Sequence, residues 1–326
     1  MSILKSPLDF ELPLVELEKQ LYELKDRIAS GDESCIDDHA RLEKQVEKLS
    51  QDIYGKLTRY QRVQLSRHFD RPFALDFIRY LATDFIELHG DRLFGDDAAI
   101  VGGIAKFAGL RVMFIGHQRG RSTEERLKRN FGMPNPEGYR KALRLFRLAE
   151  KFKLPVVNFI DTQGAFPGLE AEERGQAEAI ARNLQELSEL NVPVVSIVIG
   201  EGGSGGALAL GVADKILMLE NACYSVITPE GCAAILWKSD GGSAQNNAPA
   251  AAEALQVTAQ DLYGLGVIDE VVPEPKGGAH RNHKEAAELL EPVLLRYLEE
   301  IGSLSVADML EARYQRFRAL GPVETV

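Results

Sequence analysis

The residues with the most chemistry to offer lie between Pro193 and Leu210, which read PVVSIVIGEGGSGGALAL. Val194, Val195, Ile197, Val198 and Ile199 form an apolar, β-branched run broken only by Ser196, the pattern of a strand buried on both faces. Gly200, Gly202, Gly203, Gly205 and Gly206 follow, and Ala207 to Leu210 resume as a helix. A strand, a glycine turn and a helix start present peptide N–H groups to whatever lies there, and glycine lets the main chain approach a ligand without a Cβ in the way. Three readings compete. One is a tight connection with glycines for packing. One is nucleotide binding, which is weak: no dinucleotide fingerprint is expected here, and the P-loop's Gly-Lys-Ser/Thr is missing. The third is a pocket in which main-chain amides hold an oxyanion or a polarised carbonyl.

A second turn of this kind, Asp161-Thr162-Gln163-Gly164-Ala165-Phe166-Pro167-Gly168, follows the apolar run Leu154–Ile160. A long helix over Leu169–Leu190 then leads back to the first turn. Two successive strand–turn–helix units predict a parallel sheet, whose ligands bind at the carboxyl ends of the strands. Asp214–Leu219, Cys223–Ile227 and Val267–Val272 read as further strands. Arg119, Arg121, Arg126, Lys128, Arg129, Arg140, Lys141, Arg144 and Arg147 make residues 119–147 strongly basic, either as a solvated face with salt bridges or as an attractor for phosphates and carboxylates. Glu201 and Glu230 are potential acids or bases, and Glu230 is equally a first-turn acid of the helix that Thr228-Pro229 starts. No serine elbow with His and Asp partners stands out.

Around these turns the pattern predicts supporting elements. Two heptad-spaced segments, Leu14 to Ile28 and Leu42 to Leu57, joined at Ser30–Ser34, read as a helical hairpin over residues 10–66. A helix over Pro72–Leu88 follows, then a β-hairpin of 100–105 and 110–116 about Ala108-Gly109. Asn135-Pro136 starts a helix running to Lys153. Ser239–Ala248 reads as a polar loop, and helices over 284–301 and 305–319 close the chain.

The 326 residues are 45% hydrophobic with a formal net charge of −11, which permits a large core and argues against a general nucleic-acid binder. No apolar run is long enough to span a membrane, no signal-peptide shape begins the sequence, and a cytoplasmic location is expected. Cys35, Cys223 and Cys232 are lone cysteines, without a CxxC pair to bind zinc.

Five stretches carry a family likeness: LHGDRLFGDD (88–97), DTQGAFPG (161–168), GEGGSGGALA (200–209), YSVITPEGCAAILWK (224–238) and LGVIDEVVPEPKGGAH (265–280). Together they resemble the α subunits of bacterial acetyl-CoA carboxylase carboxyltransferases, within the crotonase superfamily. The likeness covers nearly the whole chain. It implies an α/β crotonase-like (ClpP/crotonase) spiral of ββα units, with an N-terminal helical hairpin over 1–70, C-terminal helices, and a carboxyltransferase domain over 71–326. It implies an enzyme active only with a β subunit, as an α2β2 heterotetramer. That enzyme moves the carboxyl group of carboxybiotin, borne on the biotin carboxyl carrier protein, to acetyl-CoA, and forms malonyl-CoA in the committed step of fatty acid synthesis. Biotin carboxylase is a further implied partner, with the ATP and nucleotide binding of the whole carboxylase. Zinc is expected in β and no metal in this chain. Carried over residue by residue, Gly205 and Gly206 are the backbone donors to the carboxybiotin carbonyl. Gly164, Ala165, Gly202, Gly203, Arg119 and Arg121 are the remaining candidates for substrate binding. The biotin nitrogen, rather than a side chain, would then serve as base. The rival readings are a lone hydratase or isomerase using Glu201 or Glu230, and a non-catalytic scaffold.

Overall fold

A computed structural model describes residue 4, residues 6–237 and residues 244–321. The elements run α1 (Leu12–Ala29), α2 (Ile36–Tyr54), α3 (Arg59–Ser66), α4 (Ala74–Leu81), β1 (Thr83–Glu87), β2 (Ile100–Phe107), β3 (Leu110–His117), α5 (Thr123–Lys128), α6 (Pro136–Phe152) and β4 (Val156–Thr162). They continue with α7 (Leu169–Glu173), α8 (Gln176–Glu189), β5 (Val194–Gly203), α9 (Ser204–Leu208), β6 (Lys215–Leu219), β7 (Cys223–Ser225), α10 (Pro229–Leu236), α11 (Ala244–Leu255), α12 (Ala259–Gly264), β8 (Glu270–Val272), α13 (His283–Gly302) and α14 (Val306–Arg318).

The sheet has the order β1-β2-β3-β4-β5-β6-β8, with β7 joined to the end of β5. β1 to β3 pair antiparallel, and β3 onward pair parallel. Every residue of β4 and β5 is buried, as expected of strands whose mainly apolar runs are covered on both faces. Ala108 and Gly109 both take positive φ, 46° and 84°, the conformation a two-residue hairpin turn demands between β2 and β3.

The two glycine turns meet because of a local irregularity between β4 and β5. Their pairing is regular up to Ile160 with Val198, then jumps to Thr162 with Gly202. The side chain of Asp161 fills the gap, its Oδ1 accepting the Glu201 N–H at 3.0 Å. Gly200 makes room for it, since a Cβ there would stand 2.4 Å from that oxygen.

Several expectations need correction. The helix expected over Pro72–Leu88 stops at Leu81, and Thr83–Glu87 is an edge strand. The alternation of side chains there outweighs helical spacing once β2 offers a pairing edge. The helix expected over Leu169–Leu190 breaks at Gly175, which takes a φ of 81°. Val267–Ile268 precede a strand confined to Glu270–Val272. Of the expected loop Ser239–Ala248, residues 239–243 lie outside the described residues, and Ala244 onward is helical.

The expected hairpin is α1 and α2, whose heptad residues are mostly half-buried because they pack chiefly on one another. α3 instead lies on the body, where Arg59 forks onto Asp261 at 2.7 and 2.8 Å. The hairpin is tied down at its base. Glu11 meets His280 at 3.1 Å, and Arg281 meets Glu18 at 2.7 Å.

Candidate functional site

The site is the place where the β4 and β5 turns touch. Gly203 packs against the Gln163 carbonyl so closely that a Cβ would stand 2.1 Å from its oxygen. Gly206 packs against Gly164, where a Cβ would be 2.6 Å from the carbonyl carbon. These contacts require glycine, and they explain why the two turns carry it. Ser204 takes the left-handed conformation with a φ of 53°, turning the chain from strand into α9. Gly205 and Gly206 sit in the first turn of that short helix, where no i−4 carbonyl exists within the helix. Their amides take no carbonyl from elsewhere among the described residues.

Beside this seam is a cavity of about 480 Å³ lined by Met133, Gln163 to Pro167, Glu172, Gln176, Ala177, Ile180, Ser204, Gly205 and Thr228. Its walls are mostly apolar, and no lysine or arginine lines it. Of the expected residues, Gly164, Ala165 and Gly205 form the wall. Gly202, Gly203 and Gly206 are buried behind it. Gly202 accommodates the Tyr224 ring, since a Cβ would lie 2.9 Å from Tyr224 Cδ2. Gly200, Gly202 and Gly205 do in fact have the spacing of the dinucleotide fingerprint set aside above. Gly200 and Gly202 serve Asp161 and Tyr224, however, so the pattern here answers to packing.

Arg119 and Arg121 stand elsewhere. Arg119 is engaged by Asp161 at 3.2 Å and Glu201 at 3.3 Å, and Arg121 by Asp76 at 2.7 Å. Much of the basic block is likewise engaged by acids: Arg140 pairs with Asp91 and Lys141 with Asp96, and Arg147 with Glu186 at the surface. A second cavity of about 300 Å³ lies on the other side of Gln163, lined by Arg67, Phe69, Phe73, Arg119, Gly120, Arg126 and Phe131. Arg126 donates to the Gly120 carbonyl at 3.2 Å and lies over the Phe69 ring.

The two candidate acids face each other across one guanidinium. Arg67 bonds Glu201 at 2.8 Å and Glu230 at 2.9 Å. Burial raises the Glu230 carboxyl, but the Arg67 hydrogen bonds and charge outweigh it and hold the group below its ordinary range. A carboxylate clamped as an anion is a poor proton donor, and neither acid lines the cavity between the glycine turns. Glu11, His68 and His280 are the one group of His, Cys or carboxylate side chains among the described residues close enough to share a metal ion, with ligand atoms within 4.8 Å of one another. Glu11 accepts from Tyr54, His280 and the Leu8 amide. His68 Nε2 meets the Ser6 carbonyl at 2.8 Å, and its Nδ1 accepts the Asp70 amide at 3.2 Å. Hydrogen bonds therefore engage each member of this cluster at the base of the hairpin clasp, with His280 Nδ1 left without a partner among the described residues.

A family model described as acetyl co-enzyme A carboxylase carboxyltransferase-like matches residues 7–321. The chain belongs to the acetyl-CoA carboxylase carboxyltransferase family. Its similarity to the acetyl-coenzyme A carboxylase carboxyl transferase subunit alpha of Geobacter metallireducens is 56% identity over 313 residues, 96% of each chain. To the subunit of the same name from Bacillus cereus strain G9842 it is 57% over 316 residues, 97% of this chain and 96% of the relative. More distant solved structures share the fold. The Pseudomonas malonate decarboxylase MdcD-MdcE hetero-dimer matches with a TM-score of 0.56 at 18% identity, covering 75% of this chain and 97% of that one. Transcarboxylase 12S matches with a TM-score of 0.54 at 21% identity, covering 68% and 42%. The carboxyltransferase α chain thus has the crotonase fold, and its spiral gathers both glycine turns at the carboxyl ends of β4 and β5.

Sequence reasoning missed several residues in and around this candidate site. Ser204 has no side-chain pattern around it and Thr228 reads as a helix start, yet both line the cavity. Arg67, in the cap position of α3, carried no local sign that it would bind two acids 134 and 163 residues away. His117 and Tyr139 gave no signal either, and both lie behind the seam.

Proposed function

We propose that the cavity between the glycine turns receives the ureido group of carboxybiotin, with Gly205 and Gly206 as amide donors to its carbonyl oxygen. The chain is the α subunit of the carboxyltransferase component of acetyl-CoA carboxylase, which makes malonyl-CoA from acetyl-CoA. The observation that carries the finer reading is two first-turn amides without carbonyl partners, Gly205 on the cavity wall and Gly206 directly behind it, at a mostly apolar cavity whose one charged lining residue is Glu172. Such walls suit a bicyclic ring and an alkyl arm, and the glycine backbone leaves a cradle a side chain would fill.

When bound, carboxybiotin supplies the carboxyl group and, at its ureido nitrogen, the base for the acetyl methyl proton. The rest falls to the chain. Negative charge gathers on the ureido oxygen as the carboxyl leaves, and fixed amides meet it without reorganising. Ala165, Phe166, Ala177 and Ile180 exclude water and orient the ring. The donors for the thioester enolate are assigned to a zinc-bearing β subunit in an α2β2 assembly, with the biotin carboxyl carrier protein and biotin carboxylase as further partners. ATP and nucleotide binding belong with biotin carboxylase. A cytoplasmic location fits this role, and no helix among the described residues is long and apolar enough to cross a membrane. The α1–α2 hairpin, within residues 1–70, is a packing arm on the carboxyltransferase domain.

The test is reconstitution with the β subunit and an assay of malonyl-CoA decarboxylation with free biocytin. Activity that needs both chains and biocytin is expected. Hydration of an enoyl-CoA by this chain alone would overturn the reading.

A further inference from the structure

Two polar side chains lie buried directly behind the glycine seam, and the chemistry above does not use them. Tyr139 on α6 and His117 at the end of β3 are both 0% exposed. The Tyr139 hydroxyl and His117 Nε2 have no hydrogen-bond partner among the described residues. A buried polar atom without a partner is costly, and among the eleven such side-chain atoms of the described residues these two are set apart by adjoining the glycine seam. The Tyr139 ring packs on Ala179 and Ala209, with Ala165 and Ile180 beside it. Its hydroxyl reaches the seam itself. A Cβ on Gly206 would stand 2.9 Å from that oxygen, next to the Gly164 carbonyl carbon and the Ala165 nitrogen. The backbones of Gly206 and Phe159 face the His117 ring. Its Nδ1 accepts the Asp161 amide at 3.4 Å, which leaves the ring proton on Nε2. Burial first and the Arg119 charge second push the ring's pKa down to about 3, against the opposing backbones of Phe159 and Gly206. The ring is therefore neutral.

We propose that Tyr139 and His117 are positioning residues for carboxyl transfer, standing behind the Gly206 peptide with free polar atoms that orient it during turnover so that the Gly205 and Gly206 amides serve the cavity. The proposal rests on the reading of that turn as the carboxybiotin cradle. Neither side chain lines the cavity, so each acts through the glycine backbone. A phenyl ring would pack as well as the phenol on the alanines. A hydroxyl and an imidazole N–H instead add unengaged donors at the seam, free to meet a peptide oxygen as charge builds on the ligand side.

The experiment uses the assembled α–β enzyme with malonyl-CoA and free biocytin. Tyr139→Phe removes one oxygen that has no partner, so the melting temperature should stay at the wild-type value. Its kcat should fall by about tenfold, with KM for malonyl-CoA unchanged and KM for biocytin raised. His117→Gln, which keeps an acceptor and an N–H donor, should retain more activity than His117→Leu at matched stability. A Tyr139→Phe enzyme with kcat within about twofold of wild type, or a loss that merely tracks a lowered melting temperature, would overturn the proposal. A wild-type complex without biocytin-dependent decarboxylation would overturn the cradle reading and this proposal together. Full activity in both wild type and Tyr139→Phe overturns this proposal alone.

Discussion

Gly206 and Gly164 meet backbone to backbone, and a Cβ on the first would stand 2.6 Å from the carbonyl carbon of the second. The natural test of an amide cradle is to add a side chain to it. At Gly206 that side chain would not enter the cavity, because it would collide with the other turn.

Gly206→Val should therefore part the two turns and lower stability by about 2 kcal/mol or more, as overpacking does. Gly205 is different: a Cβ there meets only the Ile180 side chain, at 3.6 Å. Gly205→Val should melt near the wild-type temperature, yet lose biotin-dependent turnover because its methyls occupy the cavity. Thermal melts beside the decarboxylation assay separate the two. An active Gly205→Val enzyme would move the cradle elsewhere.

Glu230→Gln should leave turnover within a few-fold of wild type. Arg67 keeps Glu201 as its nearer partner at 2.8 Å, and the substituted amide still accepts a hydrogen bond. Loss of turnover with assembly and malonyl-CoA binding intact would restore a side-chain acid or base to the mechanism.

The basic block divides by what it touches. Arg121→Glu sets two carboxylates together where Asp76 now sits at 2.7 Å, and should cost stability without changing KM for malonyl-CoA. Arg119→Met leaves Asp161 and Glu201 facing each other in the interior, a loss of about 3–5 kcal/mol of the kind seen when one partner of a buried pair is removed. Arg126→Glu, beside the second cavity, is the substitution that should raise KM if anion attraction operates there. Steady-state kinetics with denaturant melts distinguishes these outcomes.

Stability should decline as pH falls, in two stages. His117 is held near 3 in the fold by burial and then Arg119, whereas an unfolded histidine titrates near 6.5. The unfolded chain therefore takes up a proton that the native ring refuses, and stability present above pH 6.5 is lost on the way down. Between pH 6.5 and 5 this amounts to about 2 kcal/mol. Glu274 follows. Burial raises it, but the Arg71 charge and hydrogen bonds bring it to about 2, so the stability it adds above pH 4.5 is lost between about 4.5 and 2. Melting temperatures from pH 7.5 to 5 should fall for the wild type and fall less for His117→Gln. An unchanged slope would mean that the ring is protonated in the native state.

What the sequence determined was local. Val194–Ile199 and Leu154–Ile160 are each apolar but for one residue, Ser196 and Asn158, so strands covered on both faces follow from composition. The glycines after them mark close backbone approach whatever they approach. Family membership was also legible, because the motifs at 88–97, 161–168, 200–209, 224–238 and 265–280 are short-range patterns. The tertiary structure decided which glycine faces the cavity and which faces another turn. Gly205 and Gly206 are adjacent in the sequence and alike in composition, yet only the packing of β4 against β5 makes one a wall and the other a seam. It also decided the charges. A run of arginines reads as an anion attractor until Asp76, Asp161 and Glu201 are folded against Arg119 and Arg121 from strands and helices far along the chain. Coulomb energy depends on distance in space, and separation along a chain does not fix that distance.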